Sequence, residues 1–148
     1  MLREVTTGSY LLALAGATVA GLAMGVGPER KGRAAGLRTH MYVAVGGALF
    51  ALLARELGGA HADPLRAVQG VALGVGFVGA ATVLRRGERV HGVSTAAQIW
   101  VTAALGTESG YGHPFRAVAL SVVIALLSMV LRRFERDVLH TKPEDPSS

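Results

Sequence analysis

The sequence contains no cysteine and few charged or aromatic residues. Among its 148 residues, charged residues make up 17% and aromatic residues 5%. The lack of cysteine excludes disulfides and thiolate chemistry. The charged fraction is below the roughly 25% that is usual for soluble domains. Hydrophobic residues make up 51% of the chain, and there are 20 glycines. This composition favours an integral membrane protein over a soluble one.

Acidic residues are absent from the interior of the apolar runs. Glu29, Glu56, Glu88 and Glu108 lie at the ends of runs or between them. Because proteins usually hold Mg²⁺ through carboxylates and several retained waters, we do not expect a magnesium pump in a single copy. The sequence also shows no nucleophile–base pair and no metal-ligand spacing. We therefore expect no enzyme, no resident metal and no cofactor.

A basic segment, residues 27–40, separates the first two apolar runs. It carries four basic residues and one acid, whereas residues 9–26 and 41–54 are uncharged. Short loops rich in Lys and Arg are typical of the cytoplasmic side of a membrane. A solvated loop of a soluble helical protein is the alternative, which the composition disfavours. Because the positive cluster follows the first run, we interpret that run as a retained helix and not as a cleaved signal peptide.

Five apolar runs predict an all-α bundle of about five transmembrane helices. The runs are residues 9–26, 39–56, 65–84, 94–106 and 115–131. The fourth, about 20 Å long as a helix, is short for a core of about 30 Å, so it continues toward Gly110, tilts little or thins the membrane locally. An external N-terminus and a cytoplasmic C-terminus place eleven of the 15 Lys and Arg residues inside, as the positive-inside rule requires. We therefore predict a transmembrane domain over residues 1–134 and a polar, disordered cytoplasmic tail over residues 135–148. The basic residues are expected to contact lipid headgroups, and no nucleic-acid partner is expected.

Glycines recur at spacings that allow helices to approach closely. Small residues lie on two faces of the third run, which predicts that it packs between neighbours as the central helix. Such spacings also arise by chance in a glycine-rich chain. The glycines predicted to pack helices are Gly21, Gly25, Gly70, Gly74, Gly76 and Gly79.

Residues 74–79 match the dinucleotide-binding pattern G-x-G-x-x-G. That pattern requires a preceding strand and an acid about 20 residues further on. Here a helical apolar run precedes the glycines, and no acid lies near residue 99. The glycines are therefore interpreted as helix-packing residues.

Polar residues follow one face of the fourth run. Thr95 and Gln98 have capping-box spacing, which predicts Thr95 as the N-cap, and Thr39 is predicted to cap the second helix. Thr95, Gln98 and Thr102 form a polar stripe that should face protein or trapped water. The stripe serves either as hydrogen bonding between helices or as a polar pathway or regulatory site. Trp100 is predicted to pack within the protein.

Several of these groups are predicted to meet near the cytoplasmic headgroups. Glu29 would pair with Arg30 or Arg38. The cluster as a whole would clamp the cytoplasmic ends of the helices and form a partner-sensing site. Alternatively, the arginines only set the topology and contact lipid phosphate. The full predicted cluster is Glu29, Arg30, Arg38, Thr39, His40, Ser94, Thr95, Gln98, Trp100 and Thr102.

Three ordered blocks of the sequence resemble the MgtC/SapB family. The blocks lie at residues 21–40, 74–80 and 93–100, and the resemblance covers about residues 9–112. It implies a multi-pass bacterial inner-membrane protein with about five helices. Some relatives accompany magnesium transporters or support survival in low magnesium, acid or phagocytes. In the best-known branch the implied activity is regulation of partner membrane complexes, including inhibition of ATP synthase.

The sequence departs from that branch in three respects. Ser94 stands where the branch carries Asn, and Val101 stands where it carries Cys. The sequence also ends soon after the fifth run, so we expect a short form without the soluble C-terminal domain.

Two functions remain open at this point. The first is a regulator that binds other membrane proteins through glycine-rich helix faces, in adaptation to low magnesium, acid or host stress. The alternative is a small channel or transporter component for magnesium or another cation. It would act as a homo-oligomer lined by Gln69, Thr95, Gln98 and Thr102. The expected partners are the lipid bilayer, other membrane proteins and further copies of the chain.

Overall fold

The computed structural model describes residues 6–30, 35–58, 63–86 and 89–139. These residues form five α-helices, which confirms the predicted all-α class. The helices are α1 (Thr7–Glu29), α2 (Leu37–Gly58), α3 (Pro64–Ala80), α4 (Val93–Gly110) and α5 (Pro114–Leu139). A short antiparallel hairpin of β1 (Leu84–Arg86) and β2 (Arg89–His91) joins α3 to α4, with Arg85 opposite Val90.

Within the described ranges, three helices have the length and composition to cross a membrane. They are α1, α2 and residues 114–134 of α5. Helix α3 is apolar but has only 17 residues, about 25 Å, against a hydrocarbon core of about 30 Å. It ends at Ala80, short of the predicted Leu84. The orientation and the five crossings stay predictions. Helix α5 includes residues 135–139 of the predicted tail, and residues 140–148 lie outside the described ranges.

Helix α4 is the central helix of the bundle. It packs against α1, α2, α3 and α5. Its glycines face the backbone of α2, because a Cβ atom added at Gly106 would overlap the Ala44 carbonyl. In the other direction, a Cβ atom at Gly47 would lie 2.6 Å from the Ala103 carbonyl oxygen. Main chain therefore touches main chain along this interface, a contact that only small residues permit.

Helix α1 packs against the same pair in a similar way. A Cβ atom added at Gly21 would lie 2.6 Å from the His40 carbonyl oxygen, and one at Gly25 would lie 2.7 Å from the Leu37 Cα. The Ser109 hydroxyl donates a buried hydrogen bond of 2.6 Å to the Ala13 carbonyl and so joins α4 to α1. Glycine contacts and this bond hold the three helices together.

The prediction that the third helix is central is wrong. Helix α3 packs against α4 and, less extensively, α2, and Gly79 is its one buried residue. The Leu73 and Phe77 side chains are 80% and 82% exposed. Small residues permit close approach but do not specify the neighbour, and α1, α2 and α4 fill one another's glycine gaps instead.

At the opposite end of the bundle from the hairpin, two side chains link the ends of helices to one another. Arg55 Nη1 donates to the Gly110 carbonyl at 2.9 Å, which links the end of α2 to the end of α4. The Tyr111 hydroxyl donates to the Pro64 carbonyl at 3.1 Å and holds the start of α3 beside the end of α4. Because this second bond brings the start of α3 to the end of α4, the two helices are antiparallel.

Candidate functional site

The Glu29 carboxylate caps the N-terminus of α2. Its Oε2 accepts a hydrogen bond of 2.9 Å from the Leu37 N–H. The first N–H groups of a helix lack partners within the helix and carry partial positive charge, which a carboxylate stabilises. Gly36 leaves room for this contact, because a Cβ atom there would overlap Glu29 Oε2. The prediction that Thr39 caps α2 is wrong, since Thr39 lies inside the first turn.

Arg30 and Arg38 do not pair with Glu29. Both are exposed, and no ion pair joins them to Glu29 within the described ranges. The predicted pairing is therefore wrong. The physical reason is the position of the carboxylate, which turns toward the backbone at the start of α2. What joins α1 to α2 here is a carboxylate-to-backbone bond.

His40 is fully buried beside this cap. Its Nδ1 lies 2.9 Å from the Gly36 carbonyl oxygen, an arrangement in which Nδ1–H donates. Its Nε2 is buried without a hydrogen-bond partner among the described residues. The Nδ1 bond ties the ring to Gly36, the residue before α2. The other ring nitrogen stays inside the bundle.

The start of α4 differs from the predicted capping box. The helix begins at Val93, and its N-cap is Gly92, which has a φ of 92° and makes no side-chain cap bond. A Cβ atom at Gly92 would overlap the Thr82 carbonyl, and positive φ favours glycine. Thr95 lies inside the first turn and is buried, whereas Ser94 is exposed. The prediction that Thr95 is the N-cap is therefore wrong, because the hairpin imposes the turn at Gly92.

The polar stripe of α4 faces the protein interior, as the sequence predicts. Thr95 and Thr102 are buried, and the Thr102 hydroxyl donates to the Gln98 carbonyl at 2.7 Å. Gln98 Oε1 is buried without a hydrogen-bond partner among the described residues. Trp100 is 54% exposed, so the prediction that it packs within the protein is wrong. It lies two residues from Gln98 and therefore points away from the stripe.

Gln98 reaches the end of α1 and the last part of α5. It lines a small cavity of about 10 Å³ together with Gly27, Pro28, Ser128 and Arg132. Pro28 lies inside α1 and has no N–H to donate within the helix. Residues of α1, α4 and α5 therefore line one cavity with polar groups, near the end of the bundle that carries the hairpin.

The structure places the predicted cluster partly inside the bundle and partly on its surface. His40, Thr95 and Thr102 are buried, Thr39 and Gln98 are half-buried, and Glu29, Arg30, Arg38, Ser94 and Trp100 are exposed. The glycine set also divides. Gly21 and Gly25 contact α2, and a Cβ atom added at Gly79 would lie 3.5 Å from the Ala96 Cβ. Cβ atoms added at Gly70, Gly74 and Gly76 would meet nothing within 4 Å.

Sequence reasoning missed the residues that hold α4 in the centre. These are Gly106, Ser109 and Gly110, all of which are buried. Gly106 and Gly110 have the same small-xxx-small spacing as Gly21 and Gly25, so that signal was available. Nothing in the sequence marks the bond from Ser109 to the Ala13 carbonyl, because the two residues are far apart in the chain.

Comparison with known proteins identifies related chains. The model of the MgtC family matches residues 14–137. YhiD of Escherichia coli K12 is 38% identical over 134 residues, which cover 86% of this chain and 62% of YhiD. Its name proposes that YhiD transports magnesium. Protein SrpB of Synechococcus elongatus is 44% identical over 109 residues, 65% of this chain and 60% of SrpB.

Protein MgtC of Salmonella typhimurium is 34% identical over 123 residues, which cover 83% of this chain and 52% of that protein. The chain thus spans between 52% and 62% of the length of these three relatives. No solved structure matches the chain.

Proposed function

Because the chain belongs to the MgtC family, we propose that it is a non-enzymatic, multi-pass protein of the bacterial inner membrane that regulates partner membrane complexes. The proposed setting is adaptation to low magnesium, acid or host stress. Its partners are other membrane proteins, which it contacts within the bilayer.

The observation that carries this proposal is the outer face of α3, defined by Leu73, Gly76, Phe77 and Ala80. These residues recur at helical spacing and are all exposed. A Cβ atom at Gly76 would meet nothing within 4 Å, so a notch lies between two large apolar side chains. Another transmembrane helix would pack closely into such a notch. Helix α5 also exposes apolar side chains but contains no glycine, which is typical of a surface that faces lipid.

The interior of the bundle also favours a binding role over a pathway within one copy. The Thr102, Thr107 and Ser109 hydroxyls each donate to a backbone carbonyl. Helices α1, α2 and α4 approach so closely that their glycines face the backbone of a neighbour. Polar groups satisfied in this way stabilise a closed helix interface.

Growth at low magnesium tests the proposal. Phe77→Ala truncates the outer face of α3, and Phe115→Ala is the matched control on α5, since the two rings are 82% and 77% exposed. In the source bacterium with the gene deleted, we expect Phe77→Ala to complement poorly and Phe115→Ala to complement fully. Both purified variants should melt like wild type. Full complementation by Phe77→Ala would contradict a partner surface on this face.

The alternative is a channel or transporter component that acts as an oligomer. Gln98 Oε1 is buried and has no hydrogen-bond partner among the described residues, which favours a polar function inside the bundle. The name of the relative YhiD also refers to magnesium transport. Gln69, however, is exposed on α3 and does not share a surface with Thr95, Gln98 and Thr102.

Magnesium uptake into liposomes separates the two functions. Uptake above that of empty liposomes would support the alternative. Wild-type uptake equal to the empty control, with intact complementation in cells, would support the regulator.

A further inference from the structure

An open apolar groove lies on the outside of the bundle between α2 and α3. Its volume is about 640 Å³, within the range of roughly 300–1,000 Å³ that ligand sites occupy. The lining includes Tyr42, Gly46 and Phe50 of α2 and Gly70, Gly74 and Val78 of α3. Cβ atoms added at the three glycines would meet nothing within 4 Å, so their backbone is open to the groove.

A charged and an aromatic side chain lie in line with the groove on α2. Arg38, Tyr42, Gly46 and Phe50 follow one another at four-residue intervals and therefore share one helix face. Arg38 is exposed in the first turn, and its guanidinium has no hydrogen-bond or ion-pair partner within the described ranges. Tyr42, one turn deeper, is 67% exposed. The face thus runs from a cation through a phenol to an apolar groove.

We propose that this groove binds one anionic phospholipid, with the phosphate on Arg38 and one acyl chain between α2 and α3. The order of groups along α2 matches the order of groups along a phospholipid. The guanidinium fork suits phosphate oxygens, and tyrosine is favoured at headgroup depth. The flexible acyl chain fills the apolar part of the groove.

Charge favours a lipid over a second copy of the chain in this groove. Copies inserted in the same membrane have the same orientation, so their basic ends lie at the same depth. A second copy would bring its own basic residues toward Arg38, in a chain of net charge +5. An anionic headgroup brings the opposite charge and neutralises the guanidinium.

The melting temperature of the purified full chain in non-ionic detergent provides the test. Dioleoyl phosphatidylglycerol should raise the wild-type melting temperature saturably, by a few degrees, since a ligand of the native state stabilises it. Dioleoyl phosphatidylcholine should raise it less. Glycerol 3-phosphate, which has the phosphate but no acyl chain, should have no effect.

A matched pair of glycine variants isolates the groove. Gly74→Leu fills it, whereas Gly76→Leu makes the same change two residues away on a face outside the groove. Both positions are open, so both variants should fold. We expect the phosphatidylglycerol effect to be lost in Gly74→Leu and kept in Gly76→Leu. Equal responses of the two variants would overturn the proposal.

A matched pair of arginine variants isolates the headgroup contact. Arg38→Gln should abolish the preference for phosphatidylglycerol over phosphatidylcholine, and Arg133→Gln, exposed on α5, should retain it. This comparison stands even if Gly74→Leu gives little folded protein. An unchanged preference in Arg38→Gln would overturn the proposal. A wild-type dimer that Gly74→Leu dissociates without altering the lipid response would also overturn it. All readouts use purified protein and are independent of the growth assay for partner regulation.

Discussion

Two glycine-rich regions of this protein have opposite environments. At the interface of α1, α2 and α4, Cβ atoms added at Gly21 and Gly47 would lie 2.6 Å from carbonyl oxygens of a neighbouring helix. On α3, Cβ atoms added at Gly70 and Gly74 would meet nothing within 4 Å. Glycines of the first region allow main chains to touch, and those of the second leave a surface open. The role of a glycine therefore depends on what faces it, more than on its spacing along the helix.

The largest expected effect comes from Gly106→Leu. Its side chain would overlap the backbone of Ala44, and overpacking of a tight interior costs about 1–3 kcal/mol or more. We expect loss of most folded protein in size-exclusion chromatography. Gly76→Leu, in open space, should give a yield and melting temperature near those of wild type. Equal melting temperatures for the two variants would show that the contrast between the two regions is mistaken.

A smaller effect is expected for Glu29→Ala. The substitution removes the acceptor for the Leu37 N–H, and loss of a helix cap costs about 1 kcal/mol. Glu29→Gln keeps an acceptor oxygen and should be closer to wild type. Thermal unfolding compares the three proteins. A melting temperature for Glu29→Ala equal to that of wild type would show that the cap does not stabilise the junction of α1 and α2.

Ser109→Ala is expected to have a comparable or slightly smaller effect. It removes the buried bond to the Ala13 carbonyl, and such a bond contributes about 1 kcal/mol. Ser94→Ala is the control, because Ser94 is exposed on the same helix. Thermal unfolding should give Ser109→Ala a lower melting temperature than Ser94→Ala. The reverse order would argue against this bond as a link between α1 and α4.

The smallest effect on stability is expected for Arg38→Lys. Arg38 has no hydrogen-bond or ion-pair partner in the described part of the chain, and exposed substitutions usually change stability by less than about 0.5 kcal/mol. In lipid-free detergent its melting temperature should match wild type. A clear fall would restore the clamp of helix ends that the sequence predicted.

The candidate site was only partly predictable from the sequence. The interior direction of Thr95, Gln98 and Thr102 followed from their helical spacing, which is a local property. The partner of Glu29 did not follow, because the Leu37 N–H competes with nearby arginines and the backbone path through Gly36 decides the outcome. The Thr95 cap failed for a similar reason, since the hairpin places the start of α4 at Gly92.

The sequence by itself determined the helical class and the approximate helix positions. Apolar runs between polar and glycine-containing segments specify these locally, because each helix satisfies its own backbone hydrogen bonds. Only the tertiary structure decided that α4 is central and that α3 lies at the edge. It also decided which glycines pack against a neighbouring helix. Small side chains permit close approach on any helix, so the choice among neighbours depends on how all the helix surfaces fit together.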